Sequence, residues 1–193
     1  MNQAPTHPGD DGRSDLLSGD RPPKHDPVFG CLGWLDELNA AIGHLRAAVR
    51  DQSLSPSRPP SQAGESRDTP GLDPALRVAQ LSLGRIMGLV ASAPKPGASS
   101  AEGYGVVKAD ISALEIVDQE LRTRTVIEQH FYVPGDDSLL SAIADVARAR
   151  CRTAERALVL LDAGSNQYRL EQRYLNRLSD YLFVVARHLG AQR

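Results

Sequence analysis

The stretch Ala147-Arg148-Ala149-Arg150-Cys151-Arg152-Thr153-Ala154-Glu155-Arg156 lies inside a longer apolar-periodic run over residues 138–162. Leu139, Ile143, Val146, Cys151, Ala154, Leu158 and Leu161 recur there at steps of three and four residues with small slips, the pattern of an amphipathic helix. On that helix Arg148, Arg152 and Arg156 fall at i, i+4 and i+8, stacked along one stripe. Like charges at this spacing repel by a few tenths of a kcal/mol, so the helix gains nothing from the row itself. Glu155, within one turn of the stripe, is expected to neutralise part of it. Guanidinium forks suit carboxylates and phosphates and keep their charge at any working pH. The stripe is therefore either a solvated basic face or an anion site, and the rest of the chain decides between them.

Working outward, the neighbouring segments repeat the helical period. From residue 29 to about 50, Leu32, Leu35, Leu38, Ile42, Leu45 and Val49 mark a long amphipathic helix. Asp36, Glu37 and Asn39 are expected in its first turns, where the helix dipole favours carboxylates; alternatively Asp36 meets an arginine from elsewhere. Leu76, Ala79, Leu83, Ile86, Met87 and Val90 give a second helix over 74–91, and Ile111, Leu114, Val117 and Leu121 a third with Glu115 and Asp118 outward. The last helix, 167–189, carries Tyr174, Leu175, Leu178, Tyr181, Leu182 and Val185. Asn176 and Asp180 interrupt it one turn apart, and such polar groups need partners from neighbouring helices or from a ligand. No strand signal appears. The fold class is all-α: about five helices in a bundle, whose sites are built from facing side chains.

Between the helices, residues 51–74 are rich in Ser and Pro without periodicity and read as a mobile insert. Residues 92–104 are a second Pro/Gly/Ser break. His130-Phe131-Tyr132-Val133-Pro134-Gly135 is an apolar patch ending in a Pro-Gly turn, which hands the chain to the arginine helix through Asp137 or Ser138 as N-cap. Phe131 reads there as a core plug or as a ligand contact. At the amino end, Thr6-His7-Pro8-Gly9-Asp10-Asp11-Gly12-Arg13-Ser14 is a Gly-rich loop whose backbone can turn with positive φ and present N–H groups to an anion. Arg21 and Lys24 follow within reach of the same anion. Pro22, Pro23 and Pro27 stiffen this segment along a surface; a disordered tail is the other reading.

Composition narrows the function. With 193 residues, 41% hydrophobic and 24% charged, the chain fits one domain with a substantial core. A formal net charge of -2 argues against nucleic-acid binding driven by bulk electrostatics. Cys31 and Cys151 lie far apart without metal-site spacing, so neither a structural zinc site nor a disulfide framework follows, and a reducing compartment is the natural setting. No apolar run is long enough to span a bilayer, and the polar first 26 residues are not a signal peptide, so a cytoplasmic setting and no membrane partner are expected.

Several of these motifs together resemble a family. Gly9-Asp10-Asp11-Gly12, Lys24-His25-Asp26-Pro27, Asp36-Glu37-Leu38-Asn39, Phe131-Tyr132-Val133-Pro134-Gly135, Arg148-x3-Arg152-x2-Glu155-Arg156 and the run from Tyr174 to Phe183 occur in the order of the PduO-type corrinoid adenosyltransferases. The resemblance spans nearly the whole chain apart from the two Ser/Pro-rich stretches, and the last two motifs are the most specific. It implies one cobalamin adenosyltransferase-like domain over 1–193, an up-down, ferritin-like bundle with residues 1–28 as an ATP-binding loop, in a homotrimer with ATP and corrinoid between subunits. It implies transfer of the 5′-deoxyadenosyl group of ATP to reduced cobalt with release of triphosphate, Mg²⁺ riding on the phosphates rather than on side chains, and cobalamin as a substrate. No Asp-x-His-x-x-Gly motif of cobalamin-dependent enzymes is present.

By position, the resemblance assigns ATP to Thr6, Gly9, Asp10, Gly12, Ser14, Lys24, Arg152, Thr153, Glu155, Arg156 and Asn176. It assigns the corrinoid to Phe131, Asp36 and Asn39, pairs Arg148 with Asp36 across the subunit boundary, and presses Phe131 on the lower face of the corrin. There the aromatic displaces cobalt's lower ligand and eases reduction to Co(I). Three positions depart from the family: Pro8 stands for a Thr or Ser, Thr153 for a second arginine, and Gly30 for a commonly acidic residue. A lost donor to a charged group weakens binding by about 1.5–3 kcal/mol, roughly ten- to a hundredfold. An active enzyme is the expectation; the rivals are a non-catalytic carrier or sensor of ATP or cobalamin, and a structural bundle whose Arg stripe pairs with acidic residues.

Overall fold

A computed structural model of the chain describes residues 9–54, 71–92 and 103–191. These form five α-helices: α1 (Pro27–Leu54), α2 (Leu72–Ser92), α3 (Lys108–Thr123), α4 (Leu139–Asp162) and α5 (Arg169–Gly190). Among the described residues the β pairing consists of one isolated bridge, Arg13 to Pro23. The expected all-α class is what the structure has. Most of the Ser/Pro insert and of the second break lies outside the described residues, although α1 and α2 each run further toward the insert than their periodicity suggested.

Helix α1 starts earlier than the apolar repeat. Asp26 accepts from the Val28 N–H at 3.0 Å, and Pro27 takes the first helical position, where its missing N–H is no loss. Asp36, Glu37 and Asn39 consequently lie well inside the helix, not in its first turns, and the dipole does not account for them. Helix α4 begins with Ser138, whose hydroxyl accepts from the Ser141 N–H at 3.1 Å. It ends at Ala163, left-handed with φ 46°, beside the Asp162 carboxylate. Burial raises the Asp162 pKa, but the Ser165 hydroxyl at 2.6 Å, the Gln167 N–H at 2.9 Å and the Gln172 amide at 3.0 Å more than offset it and hold the carboxyl low. That knot turns the chain into α5.

The helices pack in the spatial order α2, α1, α4, α5, α3. α2 runs antiparallel to α1, with Arg46 against Asp73 and Gln80 against Asn39. α5 returns along α4, placing Gly190 beside Asp137. α3 runs parallel to α5, with Glu115 against Arg177 midway along it and Thr125, just past its end, against His188. Leu35, Leu38, Ile42, Leu76, Leu83, Ile86, Leu158, Leu175 and Leu182 are wholly buried between them, each contributing about 1.5–3 kcal/mol.

Two expected faces need correction. In α4, Leu139 and Val146 are 73% and 54% exposed, and Leu140, Ala144 and Ala147 take the core positions. The visible apolar series was out of phase with Cys151, Ala154 and Leu158, because small alanines fill the closest approach. In α3, Glu115 and Asp118 lie at the surface but do not point freely into solvent, their side chains being 39% and 20% exposed. Glu115 accepts from Arg177 at 3.1 Å and Arg173 at 3.4 Å, while Asp118 accepts from Arg122 at 2.7 Å.

Glu171 pins the segment leading into α3. Its carboxylate is buried, accepts the Val106 N–H at 3.0 Å, and lies 2.8 Å from where a Cβ on Gly105 (φ 81°) would sit. Burial pushes this carboxyl above its ordinary 4.5, so the folded chain holds the proton to higher pH than the unfolded one. The stability it contributes is therefore full below the ordinary value and falls as pH rises through the folded one. Thermal melts of Glu171→Gln, whose amide oxygen still accepts, should lie above wild type at pH 8 and converge with it near pH 4. Each kcal/mol appears as about 2–4 °C in a chain of this size. Parallel curves would show that the charge is not what costs stability.

Candidate functional site on the seam of the fourth and fifth helices

α4 and α5 lie against each other along their length, and the Cys151 thiol donates to the Leu175 carbonyl at 3.2 Å in the buried seam. Burial pushes both thiols up, Cys31 to about 12, so neither serves as a nucleophile. The polar edge of this seam is where the arginine row surfaces. Arg148 is 30% exposed, and its Nε donates to Asp145 at 3.0 Å. Arg152 is exposed and makes no hydrogen bond or ion pair among the described residues. Arg156 donates to the Thr153 hydroxyl at 3.2 Å, and Thr153 donates back to the Ala149 carbonyl at 3.2 Å.

Glu155 does not neutralise the row as expected. It reaches across the seam and accepts from the Asn176 amide at 3.3 Å, while the Asn176 carbonyl oxygen accepts from Arg177 at 3.1 Å. Arg177 in turn holds Asp180 at 3.4 Å. Both α5 polar residues are exposed and satisfied at the surface, rather than set within the core. Arg152 is left as an available fork between a paired Arg148 and an Arg156 engaged on its own helix. A bundle whose stripe is paired throughout with acidic residues does not match this arrangement.

The N-terminal loop is described from Gly9 onward; Thr6 and Pro8 lie outside the described residues. The Gly12 N–H donates to the Gly9 carbonyl at 3.2 Å, and the Lys24 N–H to the Gly12 carbonyl at 2.8 Å, folding residues 9–24 into a hairpin. Ser14 pairs with Pro22 at 3.2 Å, and Ser18 ties the hairpin to Ala91 at the end of α2 at 3.0 Å. Gly9 is buried with φ 110°, and a Cβ there would sit 3.1 Å from the Lys24 ammonium, so the glycine makes room for that cation. Asp10 and Gly12 are exposed. Arg21 lies 3.1 Å from Asp11 and 3.2 Å from Asp15, exposed ion pairs within the hairpin.

Asp36 is exposed on α1. Asn39 is half-buried beside α2, its carbonyl accepting from Gln80 at 3.0 Å and its side-chain oxygen buried without a hydrogen-bond partner. None of Gly9, Asp10, Gly12, Ser14, Lys24, Asp36 or Asn39 is joined by hydrogen bond or ion pair to the α4–α5 row within the chain. Phe131 resolves its own alternative: at 86% exposed it is no core plug. Gly30 is exposed in the first turn of α1 with open space around its Cα.

Sequence reading missed the charges beneath this surface. Arg187 and Asp145 are paired at 2% and 6% exposure, and Arg187 also lies 3.7 Å from Asp137. Removing either partner of such a pair strands a buried charge and costs about 3–5 kcal/mol. A lone arginine in the apolar run 181–189 was the available signal. Arg150, paired with Glu37 and 5.9 Å over the Trp34 ring, joins α4 to α1 and also went unread.

Comparison with known proteins bears on what the seam does. Residues 4–189 match the family model described as cobalamin adenosyltransferase. The corrinoid adenosyltransferase MMAB of Homo sapiens is 30% identical over 185 residues, covering 95% of this chain and 67% of its own. A cobalamin adenosyltransferase of Cupriavidus metallidurans is 31% identical over 192 residues, covering 98% and 89% respectively. Among solved structures, a variant PduO-type ATP:corrinoid adenosyltransferase from Lactobacillus reuteri, complexed with cobalamin and ATP, aligns with a TM-score of 0.77 at 24% identity. That alignment covers 98% of this chain and 92% of the other, and at such identity it speaks to the fold.

Proposed function

The chain belongs to the cobalamin adenosyltransferase family, and we infer from that premise that it transfers the 5′-deoxyadenosyl group of ATP to the cobalt of a reduced corrinoid, cob(I)alamin. Cobalt(I) supplies the electron pair for the new cobalt–carbon bond at C5′, and the breaking C5′–oxygen pair leaves on triphosphate. Such a displacement needs little acid or base help. It needs C5′ aimed at cobalt and the charge of the leaving group held. The observation that carries this assignment is the available Arg152 fork on the α4–α5 seam, beside Arg156 and across from Asn176.

In this reading Arg152, Arg156 and Asn176 hold the nucleotide, with Glu155 orienting Asn176. Thr153 offers a hydroxyl where an arginine would add charge. Gly9, Asp10, Gly12, Ser14 and Lys24, together with Thr6, form the second wall of the ATP site. That wall comes from a neighbouring subunit of a homotrimer, which accounts for its separation from the row within one chain. Arg148 meets Asp36 of the neighbour, Asn39 offers its unsatisfied oxygen to the corrinoid, and Phe131 faces the lower side of the corrin. Mg²⁺ belongs on phosphate oxygens, the hard ligands it prefers; among the described residues no cluster of three His, Cys, Asp or Glu is placed to hold a metal. Two buried free thiols suit the reducing cytoplasm as the setting.

Phosphorus NMR of the spent reaction tests the leaving group. One intact triphosphate per corrinoid alkylated is expected, and appearance of ADP with phosphate in that ratio would replace the displacement at C5′ with ordinary hydrolysis.

A further inference from the structure

Phe131 and Tyr132 are neighbours in sequence with different surroundings. The segment between them and α4 has no regular structure, and the two neighbouring side chains leave it differently: Phe131 into solvent, Tyr132 half-buried against α5. The Tyr132 ring lies 4.2 Å from the Arg187 guanidinium and meets Phe183 edge-on, with centroids 6.0 Å apart at 75°. His130 tilts against its other side at 4.1 Å. The Tyr132 hydroxyl accepts from the Glu128 N–H at 2.8 Å and donates to the Glu128 carbonyl at 3.2 Å, closing the segment on itself.

Beneath the ring, Arg187 is held in place. Asp145 pairs with it, the Ser141 hydroxyl lies at 3.4 Å and Asp137 at 3.7 Å. The second oxygen of Asp145 accepts from Arg148 at 3.0 Å. A continuous line of contacts therefore runs from Tyr132 through Arg187 and Asp145 to Arg148, at the head of the arginine row. A guanidinium withdrawn from water attracts an aromatic face more strongly than an exposed one, and its plane is set by the carboxylate it binds. An exposed aromatic on a loop has no such restraint of its own.

We propose that Tyr132, stacked on the buried Arg187–Asp145 pair, is a positioning residue that holds Phe131 outward for the corrin and ties its placement to Arg148. This rests on the reading of Phe131 as the lower-face aromatic. The ring supplies the hold, the buried pair supplies the rigid floor, and the hydroxyl closure is secondary.

The test compares wild type, Tyr132→Phe, Tyr132→Ala and Phe131→Ala as full-length proteins. Each is assayed with Co(II) cobalamin under reductant and with pre-reduced cob(I)alamin, and amide exchange over residues 126–136 is followed without substrates. Tyr132→Ala should lose about tenfold or more in kcat on the Co(II) route, the scale of a small misplacement near the chemistry, with KM for ATP unchanged. It should stay within about twofold of wild type on cob(I)alamin, as a change confined to the reduction step requires. Its amides at 129–132 should exchange faster, and Tyr132→Phe should match wild type in both rates, with faster exchange confined to the Glu128 amide that loses the hydroxyl. Unchanged exchange, or equal loss on both corrinoids in a folded protein, overturns the positioning role. If Phe131→Ala shows the Co(II)-selective loss and Tyr132→Ala does not, the positioning role alone fails. If neither shows it while wild type turns over, the reading of Phe131 falls, and the proposal with it.

Discussion

Phe131→Ala should stay folded, still bind ATP, and lose turnover by roughly a hundredfold when Co(II) must be reduced in the site, the scale on which misplacing a group near the chemistry acts. Truncating a buried phenylalanine costs about 3–5 kcal/mol. That penalty has no basis here, because the ring is 86% exposed and leaves no cavity behind. On the proposed reading its worth lies in what it touches when the corrinoid is present. Displacing cobalt's lower ligand matters for reduction and not for the alkyl transfer that follows. Activity should accordingly return in large part with pre-reduced cob(I)alamin, or with a cobinamide that lacks the lower ligand. Steady-state rates with the three corrinoids, beside a thermal melt, decide it. Equal loss with all three in a folded protein removes the assigned role.

Arg152→Ala should raise the KM for ATP roughly ten- to a hundredfold, the worth of one charge-assisted contact. Melting temperature and helical content should hardly change. Arg152 is exposed and makes no hydrogen bond or ion pair among the described residues, so its removal breaks none of theirs. It also relieves repulsion along the stripe by a few tenths of a kcal/mol. Arg148→Ala is a different experiment, because it releases Asp145 from one of its two partners. Unfolding of Arg152→Ala with ATP affinity intact would make the residue structural and leave the phosphate assignment without its main cation.

The five helices were legible because each long segment repeats its apolar residues at the helical period, and Ser138 was legible as a cap. The phase of α4 was not. Alanines at 144 and 147 carry too little hydrophobic signal to outvote Leu139 and Val146, yet they occupy the tightest packing. The start of α1 was written in Asp26-Pro27, one turn before the apolar series, and overlooking it put Asp36 and Glu37 wrongly at the helix end. The arginine row was readable from spacing, which left a solvated face and an anion site both open. The partners were not: which of Asp145, Glu37 and Asn176 engages Arg148, Arg150 and Glu155 depends on the order in which helices pack. Phe131 shows the same limit, since an aromatic beside a Pro-Gly turn has one appearance in sequence whether it faces the core or solvent.

The most direct measurement is the optical spectrum of chemically reduced cob(I)alamin, incubated anaerobically with the protein, ATP and Mg²⁺. The absorption of cob(I)alamin should give way to that of an alkylated, light-labile cobalt–carbon species, one per ATP consumed, and only when protein and ATP are both present. A spectrum that stays that of cob(I)alamin while ATP is bound would contradict adenosyl transfer and leave the chain a binding protein.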